Sequence, residues 1–183
     1  MIRFFDVIFS FLGLTLGAPV LIVLFVLGVF DTGSPLFRQK RVGRSKKPFT
    51  LVKFRTMSLD TASVASHLAS SASITRFGHF LRRTKLDELP QLWNVFKGEM
   101  SLVGPRPCLF NQEELIAERE SRGVFEARPG ITGLAQINDI DMSTPCLLAE
   151  TDAKMMAQMN LRLYFRYIFL TVLGRGAGDR VKE

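Results

Sequence analysis

Two adjacent carboxylates, Asp87 and Glu88, stand in the stretch RRTKLDELPQLWNVFKGEMSLVGPRP, between the paired arginines Arg82 and Arg83 and a Gly-Pro-Arg-Pro loop at residues 104–107. Acid groups flanked by guanidinium groups suit a phosphorylated substrate handled with a metal ion. Arginine offsets phosphate charge, and a carboxylate remains to hold the metal or to attack. Pro90 is harmless in the first turn of a helix, where its missing N–H has no partner in any case. The simplest reading therefore starts a helix near Asp87. Leu86, Leu89, Leu92, Trp93 and Phe96 follow at helical spacing, and Lys97-Gly98 provides the stop. Carboxylates at that positive end stay ionised, which suits a nucleophile or a Mg2+ ligand and does not suit a general acid. The competing reading makes Asp87 a helix N-cap and Glu88 its solvated neighbour, and spacing alone leaves that reading ahead.

The elements around this stretch begin with an apolar N-terminus. Residues 7–30 carry no charge; at about 1.5 Å per residue the run reaches roughly 36 Å, enough for a ~30 Å hydrocarbon core. It is too long for a cleaved signal peptide and no small-residue cleavage site follows it. Pro19, preceded by Gly13, Gly17 and Ala18, predicts a kink or break. Two geometries follow: a kinked helix that spans, or a broken helix that enters and leaves by one face. Arg3 before the run and Arg38, Lys40, Arg41, Arg44, Lys46 and Lys47 after it disfavour translocating one end, but charge alone leaves both geometries open.

The whole chain has 183 residues, enough for one domain with a real core, and carries a net charge of +7 with 47% hydrophobic residues. That combination puts anionic lipid or phosphorylated substrates ahead of nucleic acid. A basic nucleic-acid module would need aromatic and basic residues on one exposed strand platform, and no such motif occurs. Cys108 and Cys146 read as free, buried thiols, and His67 and His79 form no cluster, so no zinc site is expected.

Residues 31–50 read as a basic connector and 49–57 (FTLVKFRTM) as a short strand presenting Lys53 and Arg55. Residues 60–75 read as a loop or weak helix. Helices are expected at 77–83, 111–122 and 147–159, and an interfacial one at 160–173, where arginines alternate with aromatics. The tail from 174 to 183 is expected to fray.

Three segments in order, KFRTM at 53–57, LRRTKLDELPQLWNVFKGEMSLVGPRP from 81, and RPGITGLAQIN from 128, resemble the bacterial sugar transferase family, more narrowly its small monotopic phosphoglycosyl transferases. The resemblance covers residues 1–173 and overturns the N-cap reading of Asp87. It implies transfer of a sugar-1-phosphate from a UDP-sugar donor to polyprenol phosphate (undecaprenyl phosphate), with UMP released. This is the first membrane step of glycoconjugate or polysaccharide assembly, lipopolysaccharide included. By the same resemblance Asp87 forms a covalent phosphosugar intermediate, Glu88 assists, and both serve Mg2+. Lys53, Arg55, Arg82 and Arg128 would contact phosphate or support the site, Lys53 would pair with Asp152, and Pro105, Arg106 and Pro107 would meet the uridine end of the donor.

The implied fold is α+β and mainly helical. A re-entrant membrane helix covers residues 1–30, broken near Pro19, and a cytoplasmic, membrane-associated catalytic domain with interfacial helices covers 31–183. The implied location is the cytoplasmic face of a bacterial inner membrane, in contact with membrane lipid and not nucleic acid, with a homo-oligomer allowed. The length suggests a minimal catalytic unit. Two positions depart from the family pattern: Ala18 stands where serine is common, and Asn138-Asp139-Ile140 stands where Asn-Gly-Arg is usual. The alternatives are a catalytically silent membrane-anchored scaffold that binds the lipid carrier or a partner enzyme, and direct attack by the acceptor in a ternary complex.

Overall fold

A computed structural model describes residues 1–61 and 73–176, so the expectations for 60–75 and for the 174–183 tail fall largely outside the described residues. The apolar N-terminus forms two helices, α1 (Ile2–Leu16) and α2 (Ala18–Thr32), joined at Gly17 and bent by 62°. The expected break is thus present. Pro19 sits in the first turn of α2, where it leaves no donor missing, and a Cβ on Gly17 would lie 2.3 Å from the Gly13 carbonyl oxygen. Among the described residues no single helix is long and apolar enough to cross a membrane. The bent pair together has the length and composition of a broken span or a re-entrant loop. Phe11, Leu16, Ile22, Val23, Phe25 and Phe30 all face outward, an apolar surface of the kind that marks a binding or membrane-contacting region.

The same helix pair is bolted to the rest of the chain by two charged residues. Arg3 donates to the carbonyls of Val95 (2.6 Å) and Phe96 (2.8 Å), satisfying the C-terminal end of α4 (Gln91–Lys97). Asp6, 1% exposed, accepts three hydrogen bonds on one oxygen: from Ser101 Oγ (3.0 Å), Leu102 N (2.9 Å) and Tyr164 Oη (2.9 Å). Burial first, then the Asp6 charge, push the Tyr164 phenol far above its ordinary range, so it remains a donor. One carboxylate thereby ties α1 to β3 (Ser101–Val103) and α8 (Leu161–Val172).

After the helix pair comes an antiparallel hairpin, β1 (Leu36–Val42) and β2 (Pro48–Phe54), with Leu36 opposite Phe54 and Val42 opposite Pro48. The sequence predicts β2 but reads β1 as connector. The reason is that β1 turns Gln39 and Arg41 inward and Arg38 and Lys40 outward, an alternation in exposure without one in polarity. Two further three-residue strands, β3 and β4 (Gly130–Thr132), pair in parallel, Ser101 with Gly130 and Val103 with Thr132.

The remaining helices are α3 (Arg76–Thr84), α5 (Glu113–Ser121), α6 (Leu134–Ile137), α7 (Pro145–Gln158) and α8. The expected segments agree with α3, α5, α7 and α8 to within a few residues, and the chain is mainly helical α+β with two small sheets. Thr75 caps α3 by accepting from Gly78 N at 2.8 Å, and Asn160 caps α8 by accepting from Leu163 N at 3.0 Å. Leu24 of α2, Phe54 of β2 and Leu81 of α3 form one core cluster, and Val103, Met155, Tyr164 and Tyr167 another. Cys108 is buried as expected, and burial raises its thiol pKa; Cys146, in the first turn of α7, is exposed, a correction to the expectation that both are buried.

The backbones at residues 104 and 130 approach closely enough to demand glycine. A Cβ on Gly130 would lie 2.0 Å from Gly104 N and 2.5 Å from its Cα, and both contacts are backbone, which cannot swing aside. Gly130→Ala is therefore expected to push β4 away from β3 and lower stability by about 3 kcal/mol. Equilibrium denaturation checks this; a midpoint equal to that of the wild type would show that the two backbones separate freely.

Candidate active site

The Asp87–Glu88 pair lies on a 3-10 turn, Leu86–Glu88, immediately before α4. The helix expected to start near Asp87 starts instead at Gln91. Pro90 has no N–H to reach the Leu86 carbonyl in α-helical fashion, so that carbonyl accepts from Leu89 N at 3.3 Å. Lys85, which opens the turn, has φ 58°, the left-handed region. The expected stop is present: Gly98 ends α4 at φ 90°. Asp87 is 3% exposed, and the Glu88 side chain 12% exposed.

Glu88 is not a solvated neighbour. Its Oε1 accepts from Arg106 Nη2 at 2.9 Å, a charge-assisted contact in a half-buried setting. Arg106 in turn sits on a loop whose carbonyls are all held. Gly104 O accepts from Gln136 Nε2 (3.1 Å) and Pro105 O from Gly130 N (2.8 Å). Arg106 O accepts from Arg119 Nη1 (2.8 Å) and Pro107 O from Arg41 Nη1 (3.0 Å). Two prolines fix φ and four donors fix the carbonyls, so the loop is preorganised.

Arg119, on α5, is itself anchored. Its Nε and Nη2 donate to Asp152 Oδ2 at 3.0 and 2.7 Å, and the two side chains are 2% and 0% exposed. Asp152 therefore pairs with Arg119 and not with Lys53: its other oxygen, Oδ1, has no hydrogen-bond partner among the described residues. The expected pairing fails because α5 lies across α7 and delivers a guanidinium to Asp152 first. Burial pushes the Asp152 carboxyl upward, with Arg119 pulling against it.

Lys53, 7% exposed on β2, lines a small polar cavity of about 20 Å3 together with Arg41, Gln91, Arg106 and Pro107. The structure thus brings Lys53, Arg106, Pro107 and, through Arg106, Glu88 into one neighbourhood, with Pro105 in the same fixed loop. Three other expected site residues are engaged with structural partners. Arg55 donates to Ser34 O (2.8 Å) and Leu36 O (3.3 Å) and lies 5.6 Å from the Phe37 ring centre, fastening the connector to β2. Arg82 donates to Thr56 Oγ1 at 2.9 Å. Arg128 donates to Gly98 O at 2.9 Å, capping the end of α4.

Arg41, Gln91, Arg119 and Lys85 join this neighbourhood in the structure without standing out as site residues in the sequence. Only the inward alternation of β1 signals Arg41, while Arg119 looks like one more charge on a polar helix. Lys85 stands where burial lowers its proton affinity and the nearby Glu88 and Asp139 raise it. Asp139, at the position where the family pattern has glycine, adopts φ 58°, the conformation that glycine would permit. Among the described residues no three His, Cys, Asp or Glu side chains gather to hold a metal ion.

This arrangement can hold an oxyanion among fixed cations beside a buried carboxylate, the chemistry of nucleophilic or metal-assisted work on phosphorus.

Comparison with known proteins places the chain among relatives. The pattern of the family described as Bacterial sugar transferase matches residues 1–175. The chain is 39% identical over 165 residues to the UDP-galactose-lipid carrier transferase of Erwinia amylovora, covering 78% of this chain and 34% of that protein. It is 40% identical over 143 residues to the UDP-glucose:undecaprenyl-phosphate glucose-1-phosphate transferase of Caulobacter vibrioides, covering 75% and 54%. With the exopolysaccharide production protein PSS of Rhizobium leguminosarum bv. phaseoli it shares 38% identity over 200 residues, covering 96% of each. The chain thus spans about a third and about half of the first two, and nearly all of the third.

Proposed function

The chain belongs to the bacterial sugar transferase family, and from that premise we propose that it transfers a sugar-1-phosphate from a UDP-sugar to polyprenol phosphate at a membrane surface. The observation that carries this reading is the nearly buried Asp87 beside the Glu88–Arg106 ion pair, on a turn facing a loop with every carbonyl fixed. The names of two relatives, one pairing UDP-galactose with a lipid carrier and one pairing UDP-glucose with undecaprenyl phosphate, supply the substrate class.

In the proposed reaction an Asp87 carboxylate oxygen attacks the β-phosphorus of the donor. The bond from that phosphorus to the bridging oxygen breaks, and UMP leaves with the electron pair. A phosphate oxygen of the polyprenol phosphate then attacks the same phosphorus, the bond to Asp87 breaks, and polyprenyl-diphosphate-sugar leaves with Asp87 regenerated as carboxylate. Splitting one hard displacement into two is the benefit of a covalent nucleophile. Lys53 and Arg106 offset charge on the phosphate oxygens, and Glu88 holds Arg106 in place.

Asp87 and Glu88 are the residues that would hold Mg2+. A pair of adjacent carboxylates, with no third acidic, His or Cys side chain gathered there among the described residues, fits this ion, which commonly binds one or two carboxylates and completes its shell with water and substrate phosphate. When bound it would supply charge stabilisation at phosphorus. The exposed faces of α1 and α2 would lie in lipid, re-entering by the cytoplasmic face of a bacterial inner membrane and leaving residues 31–183 at the headgroup level, where an acceptor phosphate resides.

Incubating the protein with Mg2+ and a panel including UDP-glucose and UDP-galactose, without acceptor, tests the two-step scheme. The expected result is release of about one UMP per protein and a phosphosugar mass on the peptide carrying Asp87, with both lost when EDTA is added. UMP formed only when acceptor is present would favour direct attack. No product from any UDP-sugar with acceptor and Mg2+ would overturn the transferase reading.

A further inference from the structure

A cleft of about 280 Å3 opens next to Glu88, near the small end of ligand-pocket sizes (~300–1,000 Å3). Its walls are Leu92, Leu102, Ile131 and Ile168, with Val172 at its edge; charge occurs only where Lys85 and Glu88 line it. Nothing in the reaction described above needs so apolar a space for a nucleotide, whose base and ribose call for polar partners.

The cleft and the small polar cavity are neighbours. Ile131 lines both, and Glu88 of the cleft is hydrogen bonded to Arg106 of the polar cavity. The Glu88–Arg106 pair therefore lies between the two, with cations Arg41, Lys53 and Arg106 on one side and, on the other, a mainly apolar lining broken only by Lys85, Glu88 and the threonines Thr84, Thr132 and Thr171. A ligand that lies across such a boundary has a phosphate at one end and a branched apolar chain at the other.

The apolar walls also connect to the surfaces that would meet lipid. Leu92 packs against α1, where a Cβ on Gly13 would come within 2.8 Å of its Cδ1. Val172, in the last turn of α8, is 79% exposed, and Phe169 and Leu173 beside it are 62% and 64% exposed. An isoprenoid chain leaving the cleft past Val172 would pass onto apolar surface and not into water.

We propose that this cleft holds the first isoprene units of the polyprenol phosphate acceptor, with the phosphate at the Glu88–Arg106 boundary, towards Arg41, Lys53 and Arg106. The proposal rests on the transferase reading and adds to it the place of the chain. Branched five-carbon units in a fixed apolar slot, not the bilayer alone, orient the acceptor phosphate towards Asp87.

The test uses the full chain in detergent micelles and two independent measurements. First, farnesyl phosphate carrying a diazirine on its first isoprene unit is photolysed with the protein. Labelling of the segments containing Leu92, Leu102 or Ile168, abolished by excess unlabelled farnesyl phosphate, supports the cleft. Label confined to α1 and α2, or label that the competitor does not displace, overturns it. Second, Ile168→Trp fills the cleft. It is expected to raise KM for farnesyl phosphate and for a 55-carbon polyprenol phosphate by tenfold or more while KM for the UDP-sugar stays within about twofold. Unchanged acceptor KM overturns the proposal. Val172→Trp, at an exposed position, repeats the measurement if Ile168→Trp lowers the melting temperature. Competed labelling by a protein that turns over no UDP-sugar would leave the cleft standing and remove the transferase reading; turnover with labelling elsewhere would do the reverse.

Discussion

Asp87→Asn is expected to lower turnover at least about a thousandfold while leaving the fold intact. Losing a covalent nucleophile commonly removes several orders of magnitude, because the rest of the site cannot carry a two-step reaction without it. Asparagine matches the size of aspartate and keeps a carbonyl oxygen, so the 3-10 turn between left-handed Lys85 and Pro90 has no steric reason to change. What disappears is the negative charge that makes the oxygen a competent nucleophile. Steady-state UMP release with acceptor present measures the effect, and intact-protein mass measures the phosphosugar adduct. Glu88→Gln serves as contrast. It reduces the contact to Arg106 from an ion pair to a hydrogen bond between a charged guanidinium and a neutral amide, and should slow the reaction without abolishing adduct formation. Full turnover by Asp87→Asn would remove Asp87 from the nucleophile role; adduct on Glu88 would move the role by one residue.

The sequence made the acidic pair legible because its chemistry is local: residue types, order and the family resemblance all point to Asp87 and Glu88. The broken N-terminal helix was legible for the same reason, since Pro19 and an uncharged run act through the backbone nearby. Where the reading fell short, the deciding partner is distant in sequence. Arg106 and Glu88 are 18 residues apart, Arg119 and Asp152 are 33 apart, and Asp6 meets Tyr164 across 158. No spacing rule joins such pairs; the packing of α5 on α7, and of α1 on β3 and α8, decides them. Arg55 and Arg128 show the same limit from the other side. In the sequence each is one more basic residue in a recognised motif, whereas in the structure each donates to backbone carbonyls that end or fasten an element. The turn carrying Asp87 is 3-10 and not the expected start of an α-helix because Pro90, harmless at a helix start, also leaves the Leu86 carbonyl to the shorter bond from Leu89 N.

The Arg119–Asp152 pair makes the second large prediction, one that separates holding the fold from holding the site. Asp152→Ala leaves a guanidinium 2% exposed with its charge partner gone, and breaking a buried pair from one side commonly destabilises by about 3–5 kcal/mol. Denaturant midpoints are expected to fall accordingly, and Arg119→Met to fall less, because the Asp152 carboxyl, already pushed up by burial, can take a proton. Replacing both, Arg119→Met with Asp152→Leu, removes both buried charges. Apolar replacement of a buried pair is often neutral or stabilising, so the double variant should recover most of the lost stability. Activity should not follow. Arg119 Nη1 is the donor that holds the Arg106 carbonyl at 2.8 Å, and Arg106 is the partner of Glu88; with that donor gone the loop at 104–107 loses one of its four ties. The double variant is therefore expected to show near-wild-type stability with a raised KM for the UDP-sugar. Recovery of both would make the pair a structural brace alone, and single variants within about 1 kcal/mol of the wild type would mean that the buried charges find other partners.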